Sequence, residues 1–185
     1  GLNAATDLSQ LRHALRTYEE IAWFLRQDYF MRVSDVESAF LLLPWHPSIW
    51  PFMMFRYFST PNLDTQVLMC HVCGDFGTAG MPGVFKIFFV DVVLGMARCA
   101  QVLILPVPVY VDDLGLIGEH QARVDAEMQA FHAWALLVCG IAFKVLKDKL
   151  AARRQLMLGF WWDSTSLTRS LEEQTLLQYF DMLVE

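Results

Sequence analysis

Two adjacent acids, Asp112 and Asp113, stand between apolar runs in the stretch VPVYVDDLGLIG, residues 107–118. Neighbouring carboxylates repel each other, so this pair either occupies a tight turn, where aspartate bonds to nearby backbone, or holds a positive ion. A third acid, Asp35, ends the alternating stretch MRVSD, which predicts a strand. If these strands share a sheet, the three carboxylates meet at its edge. Mg²⁺ prefers such oxygen ligands, and two such ions can clamp the reacting oxygens in phosphoryl transfer.

The composition describes an apolar, acidic chain. Of its 185 residues, 55% are hydrophobic and 18% are charged, the mean hydropathy is +0.35 and the formal net charge is -6. This predicts about one domain with apolar surface to hide in its core or against a partner. The acidic balance counts against a free-standing nucleic-acid binder, which usually has a basic footprint. No apolar run reaches the roughly 18 residues of a membrane span.

Several conspicuous residues are given a structural interpretation. His46 is interpreted as a turn residue rather than a ligand, and Phe160, Trp161 and Trp162 as core or interface residues rather than base-stacking platforms. The cysteines form a single CxxC pair, which favours reduced thiols over a zinc site. Reduced thiols indicate an intracellular protein of unspecified compartment. The cysteines are Cys70, Cys73, Cys99 and Cys139.

The order of helical and strand patterns predicts an α+β fold with an antiparallel sheet and helices packed on one face, a split βαβ or ferredoxin-like arrangement. Gly140 is expected to end the third helix. Helices are predicted over 7–27, 82–100, 121–139 and 171–184, and strands over 30–36, 51–58, 66–73, 102–111, 114–118 and 156–165.

Five motifs in order resemble the reverse transcriptases of retrotransposons, in the palm region of these RNA-directed DNA polymerases. A Y-x-D-D sequence alone is weak, but five ordered motifs between residues 28 and 180 are specific. The resemblance implies a polymerase palm and RNA-directed DNA polymerisation by two-metal nucleotidyl transfer. The motifs are SDVESAFLLLPWHP at 34–47, GDFGTAGMPGVF at 74–85, YVDD at 110–113, GIAFKVLK at 140–147 and MLGF at 157–160.

The resemblance also implies roles for individual residues. Asp35, Asp112 and Asp113 match the catalytic carboxylates that hold two Mg²⁺ ions, and Lys147 matches a lysine that acts as general acid toward the leaving pyrophosphate. Phe40 falls where the family has an aromatic gate that senses the ribose. The other implied positions are Phe76, Gly77 and Tyr110, with Phe40, for nucleotide binding, and Leu158 and Gly159 for gripping the primer end.

Departures from the family pattern keep a second interpretation open, a catalytically idle reverse-transcriptase-derived domain that serves as a structural subunit of a larger assembly. Asp75 adds an acid to the second motif, and Pro106 and Pro108 predict an irregular or edge strand before Tyr110. An active chain implies primer–template and dNTP as partners, and an idle one implies proteins that cover its apolar surface. The expected domains are an N-terminal helix, a possible remnant of fingers, at 1–27, a palm-like domain at 28–165, and a C-terminal helix leading toward a missing thumb at 166–185.

Overall fold

The structure is a computed structural model, and it describes Ser9 and residues 17–58, 66–146, 148–173 and 176–177. The chain divides into two compact units, a division that the sequence did not predict. One unit holds residues 1–13 and 38–87, and the other holds residues 14–37 and 88–185.

The described residues form both helices and strands. Two 3₁₀ helices, at Ala39–Leu42 and Pro47–Phe52, and a π-helical stretch at Lys86–Leu94 accompany them. The regular elements are α1 (Thr17–Phe24), β1 (Phe30–Asp35), β2 (Met54–Phe58), β3 (Gln66–Cys70), α2 (Met81–Phe85), α3 (Gly95–Cys99), β4 (Val109–Tyr110), β5 (Asp113–Gly118), α4 (Gln121–Cys139), β6 (Arg154–Met157), β7 (Phe160–Asp163) and β8 (Thr168–Leu171).

The described strands form three antiparallel sheets, with the orders β1-β5-β4, β2-β3 and β6-β7-β8. The predicted α+β class with antiparallel strands and helices is therefore confirmed. β1 and β5 pair along their full length, from Phe30 opposite Gly118 to Asp35 opposite Asp113. Residues directly opposite each other in an antiparallel pair have their side chains on the same face, so this register decides which side chains of the two strands meet.

One face of β1 lies against α4 through a buried charge network. The Arg32 guanidinium, whose side chain is 4% exposed, donates to both carboxylate oxygens of Asp148 at 2.9 and 2.6 Å and to Asp125 Oδ1 at 3.1 Å. On the same face, Ser34 Oγ lies 3.0 Å from His132 Nε2. A buried guanidinium needs partners of this kind because an unpaired charge inside a protein is costly. The network therefore fixes α4 and the segment around Asp148 against β1.

The other face of β1 contributes to the hydrophobic core of the larger unit. Met31 and its partner Ile117 are buried there together with Ile21 of α1 and Met157 and Trp162 of the third sheet. The Trp162 indole donates to the carbonyl oxygen of Met157 at 3.2 Å, so its polar N–H is satisfied. The core interpretation of Trp162 is confirmed.

The smaller unit contains the two-stranded ribbon of β2 and β3. Its first strand was predicted from residue 51 but begins at Met54, because Pro47–Phe52 form a 3₁₀ helix. Pro51 lies inside that helix and has no N–H to give to a strand ladder. His46 precedes the helix, and its Nδ1 accepts from the backbone N–H of Ser48 at 3.3 Å. His46 is thus a turn and cap residue, as predicted.

The helical segment predicted over 82–100 is present as α2, the π-helical stretch and α3, but its π character was not predicted. In the larger unit, buried residues recur every four positions at Phe89, Val93 and Ala97. In a regular α-helix, residues four positions apart differ in direction by about 40° around the helix axis. The wider π turn reduces this drift and keeps the apolar side chains in line. Phe89 contacts Phe131 of α4 with ring centroids 6.5 Å apart.

The strand predicted over 102–111 was wrong for most of its length, because only Val109–Tyr110 pair in a sheet. The backbone N–H groups of Ile104 and Leu105 donate instead to Glu127 Oε1, both at 2.6 Å. This carboxylate on α4 takes the donors that a ladder would have used.

The two prolines lie before an edge strand, as predicted. β4 is at the edge of its sheet. Pro106 and Pro108 serve as acceptors, because their carbonyl oxygens receive hydrogen bonds from the N–H groups of Ile117 and Gly115 at 3.2 and 2.9 Å. These hydrogen bonds use the carbonyl oxygens of the prolines and need no backbone N–H, which proline lacks.

The terminal predictions have mixed outcomes. Helix α4 spans the predicted residues 121–139 and ends at Gly140, which has a left-handed φ of 68°. Residues 168–171, expected in a C-terminal helix, instead form strand β8 beside β7, and the helical N–H of Leu176 bonds to Glu172. Most of the predicted helix at 171–184, and the predicted helix before Thr17 apart from Ser9, lie outside the described residues.

Within the described part of the chain, no helix combines the length and apolar character needed to cross a bilayer.

The charge network predicts that stability falls in mild acid. Burial lowers the pKa of His132 below its usual value. The positive charge of Arg32 lowers this pKa further, and the negative charge of Asp148 raises it, but burial has the largest effect. The unfolded state, with a His pKa of about 6.5, then binds more protons than the folded state. The free energy of unfolding should therefore decrease as the pH falls through about 6.5 and stop decreasing below the folded pKa.

Urea unfolding between pH 7.5 and pH 5 measures this slope. The His132→Gln variant should have a shallower slope, and His46→Gln, which changes an exposed turn residue, should keep the wild-type slope. Equal slopes for all three proteins would contradict the assignment.

Candidate active site at the ends of β1 and β5

Three aspartates converge where β1 ends and β5 begins. Asp35 is the last residue of β1 and lies directly opposite Asp113, the first residue of β5. The carbonyl oxygen of Asp112 accepts the N–H of Val36 at 2.9 Å, so the backbone of the third acid is held beside the same strand end. Asp35 is buried, whereas Asp112 and Asp113 are half-buried. Acids more than 70 positions apart in the sequence thus share one sheet edge.

A lysine ammonium contacts the most buried of these acids. Lys144 Nζ lies 2.5 Å from Asp35 Oδ1, and the Asp35 side chain is 2% exposed. The attraction between opposite charges is strong where water is excluded. Within the described part of the chain, no three His, Cys, Asp or Glu side chains stand close enough together to hold a metal ion. The Lys144 side chain thus places a positive charge directly beside the Asp35 carboxylate.

The turn that presents Asp112 has a strained backbone. β4 and β5 pair at Tyr110 and Asp113, which leaves Val111 and Asp112 as a two-residue turn. Val111 has a φ of 52°, a left-handed conformation that a β-branched residue rarely adopts. Such outliers persist only where the surrounding structure holds them, and they are frequent at functional sites. Here the β4–β5 pairing holds the turn that carries Asp112.

A cavity of about 580 Å³ opens beside Asp113. Its lining combines this acid with two basic side chains, those of Lys149 and Arg154, and with Trp161 of β7. The Arg154 guanidinium lies 4.8 Å from the centre of the Trp161 ring, a cation–π contact. The cavity thus has a positively charged wall with an aromatic side chain, next to Asp113.

Leu158 and Gly159 also line this cavity and form the tight turn between β6 and β7. Both have positive φ, 56° and 75°, as a type I′ hairpin turn requires. Gly159 adopts this conformation without strain, whereas Leu158 adopts it at an energetic cost because it has a Cβ atom. The Leu158 carbonyl oxygen accepts a hydrogen bond from the Tyr18 hydroxyl at 3.4 Å. The residues predicted to grip the primer end therefore lie on the wall of the cavity beside Asp113.

Three predicted nucleotide-binding residues belong to the smaller unit. Phe40 is buried there, with ring centroids 4.9 Å from Phe76 and 5.9 Å from Phe85. Phe76 is 84% exposed, and Gly77 has a φ of 107° that favours glycine. The fourth, Tyr110, is on β4 of the larger unit and is half-buried.

Asp75, which seemed an unexplained acid in the second motif, has a local structural role. Its Oδ1 accepts a hydrogen bond from Thr78 Oγ1 at 2.5 Å, an arrangement that holds the turn before α2. Gly74 allows a close approach in the same loop, because a Cβ there would lie 2.7 Å from the Phe40 carbonyl oxygen. Any larger residue at position 74 would displace the backbone at Phe40.

Comparison with solved structures identifies the architecture. Over 90% of its length the chain superimposes on a foamy viral protease-reverse transcriptase in complex with an RNA/DNA hybrid, with a TM-score of 0.68 and 19% identity. The same share matches the foamy viral protease-reverse transcriptase dRH in complex with double-stranded DNA, with a TM-score of 0.69 and 17% identity. The chain has a reverse-transcriptase-like fold. It covers 20% and 26% of those two chains. No protein-family model and no curated protein matches the sequence.

Sequence reasoning missed three side chains at this candidate site. Lys144 and Arg154 were not assigned to a site, although Lys144 contacts Asp35. Trp161 was interpreted as a core or interface residue, whereas the structure places it on the wall of the cavity beside Asp113. Strand β6 places Arg154 and Leu156 on one face, and Trp161 lies opposite Leu156 and so shares that face. Lys147, the predicted general acid, lies outside the described residues.

The strained turn of the reverse-transcriptase-like domain leads to a stability prediction. Val111→Gly should raise the free energy of unfolding by about 1 kcal/mol, because a left-handed conformation costs an L-residue roughly that amount and costs glycine little. Val111→Ala is the matched control, since alanine keeps the left-handed penalty and should give a smaller gain. Chemical denaturation measures both. Equal stability of the two variants would show that the turn stores no such strain.

Proposed function

We propose that this chain is the palm region of a reverse transcriptase of retrotransposon type and that it catalyses RNA-directed DNA polymerisation. The observation that carries the proposal is the register that sets Asp35 opposite Asp113 with the backbone of Asp112 held beside them. Paired carboxylates at a strand end, next to a cavity with basic and aromatic walls, suit the transfer of a nucleotide to a primer end.

The donors at this strand end suit Mg²⁺ in their chemistry. Asp35, Asp112 and Asp113 offer hard carboxylate oxygens of the type that Mg²⁺ prefers. The ion pair between Lys144 and Asp35 Oδ1 supports the proposal only in that this buried carboxylate has a positive charge beside it. We therefore propose the three aspartates as the residues that would hold two Mg²⁺ ions.

The chemistry that Mg²⁺ supplies when bound is to make a primer hydroxyl more acidic and to neutralise charge on a triphosphate. The protein's own residues orient the reactants. Asp35, being buried, would provide a fixed anionic anchor, and Asp112 and Asp113, being half-buried, are accessible from the solvent. Lys147 is proposed to donate a proton to the leaving pyrophosphate. Phe40 is proposed to exclude the ribose 2′-hydroxyl, with Phe76, Gly77 and Tyr110 beside the nucleotide.

The cavity beside Asp113 is proposed as the site of the primer end. Lys149 and Arg154 can neutralise backbone phosphates, and Trp161 can stack against a base or sugar. Leu158 and Gly159 present backbone groups from the hairpin turn. The two foamy viral neighbours are structures with an RNA/DNA hybrid and with double-stranded DNA, which supports a nucleic-acid ligand here. The basic wall supplies positive charge locally in a chain whose formal net charge is -6.

Primer extension tests the catalytic proposal. On an RNA template with a DNA primer, Mg²⁺ and dNTPs, the chain should extend the primer. Asp112→Asn should reduce the rate by about 100-fold or more, because it removes a charge that stabilises the transition state. Glu119→Gln neutralises an exposed acid at the other end of β5, in the connection to α4, and should keep the wild-type rate. Absence of extension by the wild-type chain, or full activity of Asp112→Asn, would refute the catalytic proposal.

Fluorescence anisotropy with a labelled RNA/DNA hybrid tests the primer cavity separately. Trp161→Ala should weaken binding by about tenfold, as loss of one stacking contact costs roughly 1–3 kcal/mol. Trp23→Ala removes a tryptophan that is 71% exposed on α1 and should leave the affinity unchanged. If both variants bind like the wild type, the primer end does not occupy this cavity.

A second candidate function is a catalytically idle subunit of a protein assembly. It is favoured by the ribbon of β2 and β3, which exposes apolar side chains on both of its faces, Phe55 and Met69 on one and Met54 and Leu68 on the other. Surfaces of this kind are typical of protein–protein contacts. This candidate predicts no primer extension and a defined complex in which the ribbon is buried, so the extension assay separates the two candidates.

A further inference from the structure

The segment that carries Lys144 is fixed to the end of β1 by its backbone. The N–H of Lys144 donates to the Asp35 carbonyl oxygen at 2.9 Å, and the N–H of Glu37 donates to the carbonyl oxygen of Ala142 at 2.9 Å. Between them, Val36 and Phe143 form an isolated antiparallel bridge. The position of Lys144 relative to the aspartate therefore follows from main-chain pairing and does not depend on a chance surface contact.

The two side chains of the ion pair differ in their access to water. The Asp35 side chain is 2% exposed, and the Lys144 side chain is 39% exposed. A buried carboxylate requires a counter-charge, since its desolvation is otherwise uncompensated. The lysine reaches it from the solvent side on a long stem with three rotatable donors. The ammonium can therefore leave the carboxylate for water without any change in the backbone pairing.

We propose that Lys144 is a built-in competitor of the divalent cation, and that a metal ion binds Asp35 only when the Lys144 ammonium moves away. The inference rests on the proposed function, in which Asp35 helps to hold Mg²⁺. Two cations close to the same carboxylate oxygen repel each other, and this repulsion is strong where water is excluded. Mg²⁺ also needs the oxygen lone pair that now faces the ammonium.

The competition has two consequences for the domain. Without a metal, Lys144 supplies a counter-charge to the buried Asp35, so this carboxylate destabilises the fold less. With a metal, Lys144 becomes a free cation at the edge of the site and the acids no longer need it. Lys144 is thus a positioning residue that sets the affinity of the acids for divalent cations, and it touches no reacting atom in this proposal.

The affinity of the acids for a divalent cation can be measured without turnover by titrating the protein with Mn²⁺ and detecting the free ion by electron paramagnetic resonance. Lys144→Gln keeps a hydrogen-bond donor near Asp35 but removes the charge, and it should bind Mn²⁺ roughly tenfold more tightly than the wild type. Lys144→Arg keeps the charge and should not gain affinity. Lys149→Gln removes the same charge from the wall of the neighbouring cavity and should change the affinity by less than about threefold, because solvent screens exposed charges.

The aspartate variants separate this inference from the proposed function. If Lys144→Gln binds Mn²⁺ no better than the wild type while Asp112→Asn binds it more weakly, the competition is refuted and the metal site stands. If Mn²⁺ binding is absent from every protein, or is unaffected by both Asp35→Asn and Asp112→Asn, the metal site and the competition are both overturned.

Chemical labelling of lysine amines provides a second readout on the unaltered protein. Mg²⁺ should increase the rate of acetylation of Lys144 by an amine-reactive reagent, because the displaced ammonium enters water. Lys149 serves as the internal reference and should react at a constant rate, as quantified by peptide mass spectrometry. The Mg²⁺ concentration is chosen so that it displaces the bound Mn²⁺. If the acetylation rate of Lys144 does not respond to this Mg²⁺ concentration, the displacement of the lysine is contradicted.

Discussion

The antiparallel pairing of β1 with β5 is the constraint on which the candidate site depends. Because the two strands pair without a bulge over six residues each, the last residue of one is directly opposite the first residue of the other. A shift by one residue would reverse the face of every side chain in the strand. The same register that buries Met31 against Ile117 therefore also sets Asp35 beside Asp113. Core packing and site geometry cannot be changed independently.

Strand β1 has a buried charged side chain on each of its two faces, and the two charges have different kinds of partner. Arg32 is held by Asp125 and Asp148, which together provide a fixed hydrogen-bonded network. Asp35 is held by Lys144, whose side chain is partly in water. The first arrangement is rigid and structural, since none of its three members is more than 19% exposed. The second leaves the ammonium partly in water, so its contact with Asp35 is less enclosed than the Arg32 network.

The wall of the cavity beside Asp113 has a different structural origin. It comes from the β6–β7 hairpin, whose left-handed turn at Leu158 and Gly159 sets the register of Arg154 and Trp161. One face of this hairpin delivers Trp162 to the core, and the other presents Trp161 beside the acids. The alternation of a strand thus places one of two adjacent tryptophans in the core and the other on the wall of the cavity.

The sequence by itself determined the class of fold, the extent of α4 and the convergence of Asp35 with the Asp112–Asp113 pair, because these depend on local periodicity and on motif order. It did not determine that residues 102–108 avoid a strand or that 168–171 form one, since both outcomes depend on partners elsewhere, Glu127 and β7. Nor did it assign Lys144 to Asp35. Only the tertiary structure decided that contact, because a lysine and an aspartate 109 positions apart meet through backbone pairing that no local pattern encodes.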